Sequence, residues 1–384
     1  KNLKLFKPFY FVMVKSLRFL PLLLSISLCS DKEADSFIMS GVKAFYNYEF
    51  SKSIEILDQA RLRYPNHPGV HFIWASSKYY ISQGLDPIES TYDTLENALN
   101  EIEPIYIDLV KNKPNEDEYK LYLGSTIGMR ARSSLGRKDW ISVLKQSYKG
   151  FKKIEKVAER NPEMIDAQLP IGIVGYYASI SNVFIRWLIN IYGINTSKEV
   201  AIQKIKNAAY NSDWAWIEAS GILSFIYLWI DNQPQDALNS TVRLAKEFPK
   251  NFYFQILYLE SLTRTSNFEK AKRKIDELDD NFNGLSIRQK AWYEPYFNYQ
   301  KALFHFHQME YDKSRKFTML AIDNYSGELD VILGNLYLLN GKLNDIVNNR
   351  DDAVKYYKLC RNLDNFSYAS KEAIQFIKVP FAVK

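Results

Sequence analysis

Residues 37–65 read FIMSGVKAFYNYEFSKSIEILDQARLRYP, and the order of small, aromatic and proline residues in this stretch decides the fold. Phe37 and Gly41 lie in a first helical stretch. Phe50, Ser53, Leu57 and Ala60 lie in a second, which Pro65 ends. The offsets carry the physics. Small residues at Gly41 and Ser53 let two helices approach closely, and Phe50 and Leu57 fill the gap between them. Pro65 has no amide hydrogen to donate and cannot continue the second helix.

The same second-helix pattern returns down the chain. Ala237, Thr241, Leu244 and Pro249 form one copy, and Phe268, Ala271, Ile275 and Leu278 another. Tyr311, Ser314, Thr318 and Ala321 form a third. Gly334 and Tyr337 open one more first helix, with Ala353, Tyr357 and Cys360 in its partner, and Lys342–Asn349 reads as a loop inserted between them. One copy could arise by chance; recurrence with consistent internal spacing points to a repeat array. The pattern resembles the 34-residue tetratricopeptide (TPR) repeat. It predicts an all-α, TPR-like α-solenoid, a right-handed superhelix of antiparallel helix pairs.

Outside the repeats the period is also helical. Trp140, Val143, Leu144, Tyr148, Phe151, Ile154, Val157 and Ala158 form an i, i+3, i+4, i+7 stripe, with Asp139 as N-cap and Asn161-Pro162 as a stop. Only 15 glycines and 13 prolines occur in 384 residues, too few for an all-β chain that turns every 8–12 positions.

The central residues support a narrower resemblance. Asn161-Pro162, Asp166-Ala167, Gly172, Gly175-Tyr176-Tyr177, Arg186-Trp187-Leu188, Gly193 and Ala208-Ala209 follow in that order. This order is similar to the inclusion-body-clearance (Iml-type) family of TPR proteins and its bacterial envelope relatives, and the likeness runs over residues 36–384. The chain departs from it at Ile194-Asn195 and at Lys342–Asn349. The resemblance implies architecture and no catalytic residues. Within this region Leu169–Ile185 is apolar over about 17 residues, the lower limit for a membrane span. Pro170, Ser179, Ser181 and Asn182 favour a buried solenoid helix instead.

The amino-terminal region reads as an export signal. From Met13, taken as the true start, MVKSLR precedes the apolar FLPLLLSISL and then Cys29. This ten-residue run rises about 15 Å as a helix, half a bilayer. Ile26-Ser27-Leu28-Cys29 resembles a bacterial lipobox apart from Leu28, which makes Cys29 the expected lipid-bearing residue. Ser25-x-Ser27 offers an alternative small-x-small cleavage site. The expected organisation is a signal over 1–29, a polar tether over 30–36, and N-terminal helix pairs over 37–160. A central apolar helical segment follows over 161–232, then C-terminal repeats over 233–384.

Chemistry is sparse. Residues 1–30 hold Lys1, Lys4, Lys7, Lys15 and Arg18 and no acid, so removing these five cations from the net +6 leaves +1. A nearly neutral body lacks the basic footprint of a nucleic-acid binder. His67 and His71 have the i, i+4 spacing of a metal pair, but Pro68 and Gly69 intervene; His305 and His307 point apart on one helix. No HExxH, CxxC, P-loop, GxGxxG or GxSxG pattern occurs, and the acidic run Asp276–Asp280 reads as a solvated helix end. No cofactor, metal site or enzymatic activity is expected.

What remains is surface. A superhelix displays its first helices on a concave groove, and Tyr79, Tyr80, Tyr122, Arg130, Tyr258, Tyr299 and His305 are the candidate groove residues. The expected function is a protein-interaction scaffold of the bacterial envelope, in the periplasm or anchored to the outer membrane, with a peptide or protein partner. The alternative is a glycan-capture lipoprotein on a TPR scaffold, whose aromatic side chains would stack on sugars.

Overall fold

In the computed structural model the described residues are 32–137, 139–180, 197–325, 330–363 and 365–383. They form seventeen α-helices and no strand. The fold is an all-α solenoid of consecutively packed helix pairs. Two compact units divide it, one within Leu17–Leu223 and the other over Ser224–Lys384. The signal segment and Cys29 lie outside the described residues.

In the N-terminal unit, α1 (Lys32–Tyr46) pairs with α2 (Phe50–Arg63), α3 (Val70–Leu85) with α4 (Ile88–Asn112), and α5 (Asp117–Gly136) with α6 (Trp140–Arg160). Then α7 (Gln168–Ile180) pairs with α8 (Lys198–Asn211). The first helices α1, α3 and α5 also touch one another in succession. The close approach expected of α1 and α2 is present: a Cβ built on Gly41 would sit 2.8 Å from Leu57, and Ser53 Oγ donates to the Gly41 carbonyl at 2.9 Å. α5 and α6 pack as tightly, since a Cβ on Gly150 would meet Gly128 Cα at 2.6 Å. Asp139 caps α6 by accepting from Ser142 N at 3.2 Å, as its sequence indicates.

The described part of the apolar central stretch is α7. Leu169, Ile173, Tyr176 and Tyr177 are buried there, and Gly172 lies against Ile205 and the Ala201 carbonyl of α8. No helix among the described residues is long and apolar enough to cross a membrane. Residues 181–185 of that stretch, and Arg186-Trp187-Leu188, lie outside the described residues.

Helix α9 (Trp216–Phe225) follows, continued by a π-helical turn over Ile226–Ile230. The C-terminal unit then contains α10 (Pro234–Glu247), α11 (Phe252–Arg264), α12 (Phe268–Phe282), α13 (Ile287–His307), α14 (Tyr311–Asp323), α15 (Val331–Ile346), α16 (Arg350–Asn362) and α17 (Tyr368–Lys378). Its first helices α11, α13, α15 and α17 again touch in succession.

One turn recurs at the junction between the helices of a pair. Tyr48, Asn232, Ser266, Met309 and Asn348 all adopt φ between 57° and 62°, and each stands two residues before the next helix. The amide after each reaches back to close a Schellman ring: Glu49 N to Ala44 O at 2.9 Å, Asn267 N to Leu262 O at 2.8 Å, Glu310 N to His305 O at 2.9 Å, and Asn349 N to Asn344 O at 2.9 Å. At Asn232 the ring holds one more residue, Gln233 N reaching Tyr227 O at 2.6 Å, because the preceding turn is wound as a π-helix. The turn also corrects a sequence expectation. Lys342–Asn349 is not an inserted loop: Lys342–Ile346 complete α15, and Val347–Asn349 form this same junction.

Candidate docking face

In the C-terminal unit the polar chemistry sits on the first-helix side. Glu260 of α11 is completely buried, and its Oε2 accepts from the Trp229 indole at 2.9 Å and from the Gln300 amide of α13 at 2.8 Å. Arg264, one turn on, donates to Glu260 Oε1 at 3.2 Å and to the Leu228 carbonyl at 2.7 Å, and its second amino group bonds Asn232. Burial works against its charge, but the surrounding Tyr368, Glu260 and Tyr299 raise the guanidinium pKa above its ordinary value. The cation lies 4.8 Å above the Tyr368 ring of α17, and the Tyr299 and Tyr368 phenols share a hydrogen bond.

α17 lies across this face. Its Tyr368 meets α11 and α13, its Glu372 accepts from Lys342 of α15 at 2.8 Å, and its Phe376 packs on Tyr357 of α16 at 5.5 Å between ring centres. His307, at the end of α13, remains exposed; partial burial, then Arg264 and Lys342, hold its imidazole below the ordinary histidine range. After α17 the chain turns back: Phe381 N donates to Asp345 Oδ2 at 2.7 Å, and its ring lies 6.0 Å from Phe306 and 5.5 Å from Phe376.

The N-terminal unit has a counterpart built from different donors. Glu218, in the first turn of α9, is 4% exposed; Tyr46 at the end of α1 donates a hydrogen bond to it, and Tyr80 of α3 donates another at 3.2 Å. Among the described residues it makes no ion pair. Burial raises its carboxyl pKa from the ordinary 4.5 to about 7, against the smaller lowering effect of the two phenols. A carboxyl at that value could exchange a proton near neutrality, but it is closed off from solvent. Among the described residues, no group of three or more His, Cys, Asp or Glu side chains could hold a metal ion.

No family model and no curated protein matches this chain.

The candidate groove residues divide by environment. Tyr79, Tyr122 and Tyr299 are buried: Tyr79 against Tyr80 and the Arg132 guanidinium, Tyr122 stacked on Tyr106 at 5.9 Å, Tyr299 inside the Arg264 cluster. Their rings pack helices together and are not displayed. Arg130 ties α5 to α4 through Glu96 at 2.9 Å and Glu103 at 2.6 Å. Tyr258 faces Lys274 of α12, and His305 stacks on Phe317 of α14 with its ring nitrogen on Glu310. Both therefore contact the second helix of their pair. Tyr80 alone of the seven is half-buried at a polar cluster between helices α1, α3 and α9.

Sequence reasoning passed over Glu218, Glu260, Arg264, Lys342 and Glu372. Three of these carried a signal. Glu218 is the lone acid in WAWIEASGILSFIYLW, and Glu260–Arg264 is an i, i+4 pair ending an apolar helix. His67 and His71 are structural: His67 accepts from Gly69 N at 3.2 Å and contacts Asp35, while His71 accepts from Arg61 at 3.1 Å.

Proposed function

We propose that this chain is a non-enzymatic, TPR-type protein-interaction scaffold of the bacterial cell envelope, which docks a peptide or protein on its first-helix face. One observation carries the reading. In the C-terminal unit, four successive first helices bring Arg264, His307, Lys342 and an aromatic set together on one side, with His307 and Phe381 still reachable from solvent. A rim of mixed charge and aromatic rings is what an extended interface uses for orientation and anchoring. The reading places the chain outside the cytoplasm, with the segment ending at Cys29 as export signal and that cysteine as lipid anchor.

The direct test is site-specific photo-crosslinking in the native host. A photoreactive residue at His307 should give a discrete protein adduct, while one at Lys272, exposed on α12, should give none. Equal yields at the two positions, or no adduct at either, would count against the reading. Separately, Cys29→Ala should release the protein from the membrane fraction; unchanged partition removes the lipid anchor.

A further inference from the structure

The segment after α17 makes contacts that resemble those of a bound peptide. Val379 is extended, Pro380 is exposed, and Phe381 is half-buried. The Phe381 ring enters a socket made by three helices. Phe306 from the end of α13 lies 6.0 Å away, Phe376 from α17 meets it edge-on at 5.5 Å, and the Lys342 ammonium of α15 sits 5.3 Å from its centre. Its backbone N–H is taken by Asp345, whose carboxylate is fixed by Arg350 at 3.0 and 3.1 Å and by the Tyr357 hydroxyl at 2.8 Å.

The acceptor of this socket has partners besides its occupant. Asp345 is held by Arg350 and Tyr357 of α16 in addition to the Phe381 amide, and Arg350 also caps the end of α17 through the Phe376 and Ile377 carbonyls at 2.6 and 2.9 Å. The occupant, by contrast, reaches the socket through one backbone hydrogen bond and one half-buried ring; Val379 N is tied only to its own helix at Gln375 O, and Pro380 and Ala382 on either side of Phe381 are exposed. An acceptor with its own internal partners, filled by a lightly held segment outside any helix, is the arrangement of a displaceable internal ligand.

We propose that residues 379–383 are an autoinhibitory strap over a socket that recognises an extended peptide. The ligand carries one aromatic side chain between Phe306 and Phe376, under Lys342, and donates its backbone N–H to Asp345. The proposal rests on the scaffold reading and names the kind of partner that reading requires. Proline before the aromatic residue is accommodated, since the strap itself carries Pro380 there and the socket takes the amide of the residue that follows.

The test uses the full chain and the labelled hexapeptide VPFAVK, the sequence of residues 379–384, followed by fluorescence anisotropy. Phe381→Ala should bind the peptide about tenfold or more tightly than the parent chain, because the competing strap is weakened. VPAAVK should not bind. Equal affinity of the two proteins, absence of binding to Phe381→Ala, or equal binding of VPAAVK overturns the proposal. Hydrogen exchange on the parent chain supplies a readout independent of the variant's folding. The Phe381 amide should exchange by local opening while the core amides of α15 wait for unfolding of the unit; exchange of both together makes the segment a structural cap and overturns the strap. A partner crosslinked at His307 whose yield does not rise in Phe381→Ala removes the strap and leaves the scaffold. Hexapeptide binding without any crosslinked partner does the reverse.

Discussion

Glu218 in the N-terminal unit receives two phenolic hydrogen bonds and no cation among the described residues, whereas Glu260 in the C-terminal unit receives an indole, an amide and a guanidinium. Both carboxyls are buried, so both give up solvation worth several kcal/mol for the charged form. The return differs. A neutral donor contributes about 1 kcal/mol net, and a helix N-terminus such as that of α9 adds about 0.3–1 kcal/mol. Those contributions do not offset desolvation at Glu218, and its pKa rises. Arg264 adds an opposite charge at hydrogen-bond distance and is itself anchored on Leu228 and Asn232. Similar burial is therefore met at one joint, Glu218, by phenols alone, so that this carboxyl titrates, and at the other, Glu260, by a guanidinium that fixes it in place.

Of the two carboxyls, Glu260 is the more costly to remove. Glu260→Ala should cost about 3–5 kcal/mol in urea unfolding followed by circular dichroism, since it strands a buried guanidinium and leaves the Trp229 and Gln300 donors unmatched. A loss below about 1 kcal/mol would mean that the Leu228 carbonyl and Asn232 alone satisfy Arg264, and the contrast with Glu218 would lose its basis.

The titrating joint is tested by pH. Between pH 4.5 and about 7 the folded chain holds on Glu218 a proton that the unfolded chain has released, so this group's contribution to stability falls as pH rises through that window. Glu218→Gln keeps the shape and removes the titration. It should leave stability unchanged near pH 4 and raise it by up to roughly 3 kcal/mol at pH 8, flattening the profile. A variant whose profile parallels the parent across the window would place the titration elsewhere. Tyr46→Phe sharpens the assignment. Loss of that donor should cost about 2 kcal/mol at pH 8, where the carboxylate needs it most, and move the midpoint of the Glu218-dependent loss to higher pH. An unmoved midpoint would show that burial alone sets the value.

Much of this architecture was legible in residue order. Gly41 against Leu57, Ser53 on the Gly41 carbonyl and Asp139 on Ser142 appear where the sequence pattern puts them, because small-residue spacing and caps are local rules. The junction turns were not legible. Their left-handed positions are filled by Tyr48, Asn232, Ser266, Met309 and Asn348, and not by the glycine that marks such a turn, so the end of α15 read as a loop. The polar sites were hidden for another reason. Glu260 finds its partners 31 residues upstream at Trp229 and 40 downstream at Gln300, and Glu218 meets Tyr46 across 172. Aromatic residues at first-helix positions suggested display, but Tyr79, Tyr122 and Tyr299 supply apolar area at the helix contacts, where it stabilises most.

The outer donor, Tyr80, contributes least. Tyr80 is half-buried, reaches Glu218 at 3.2 Å, and its ring stacks on Phe45 at 5.7 Å whether or not the hydroxyl is present. Water can replace a hydroxyl at a half-exposed edge far more easily than at the buried Tyr46. Tyr80→Phe should therefore cost below about 1 kcal/mol at pH 8 and shift the pH midpoint less than Tyr46→Phe does. The two variants combined should cost less than their sum at pH 8, because the first removal already lifts the Glu218 midpoint toward that pH and a protonated carboxyl loses less with the second phenol. Strict additivity in that double-mutant cycle would mean that Tyr46 and Tyr80 do not act through one shared carboxyl, and α9 would then be held to α1 and α3 by packing alone.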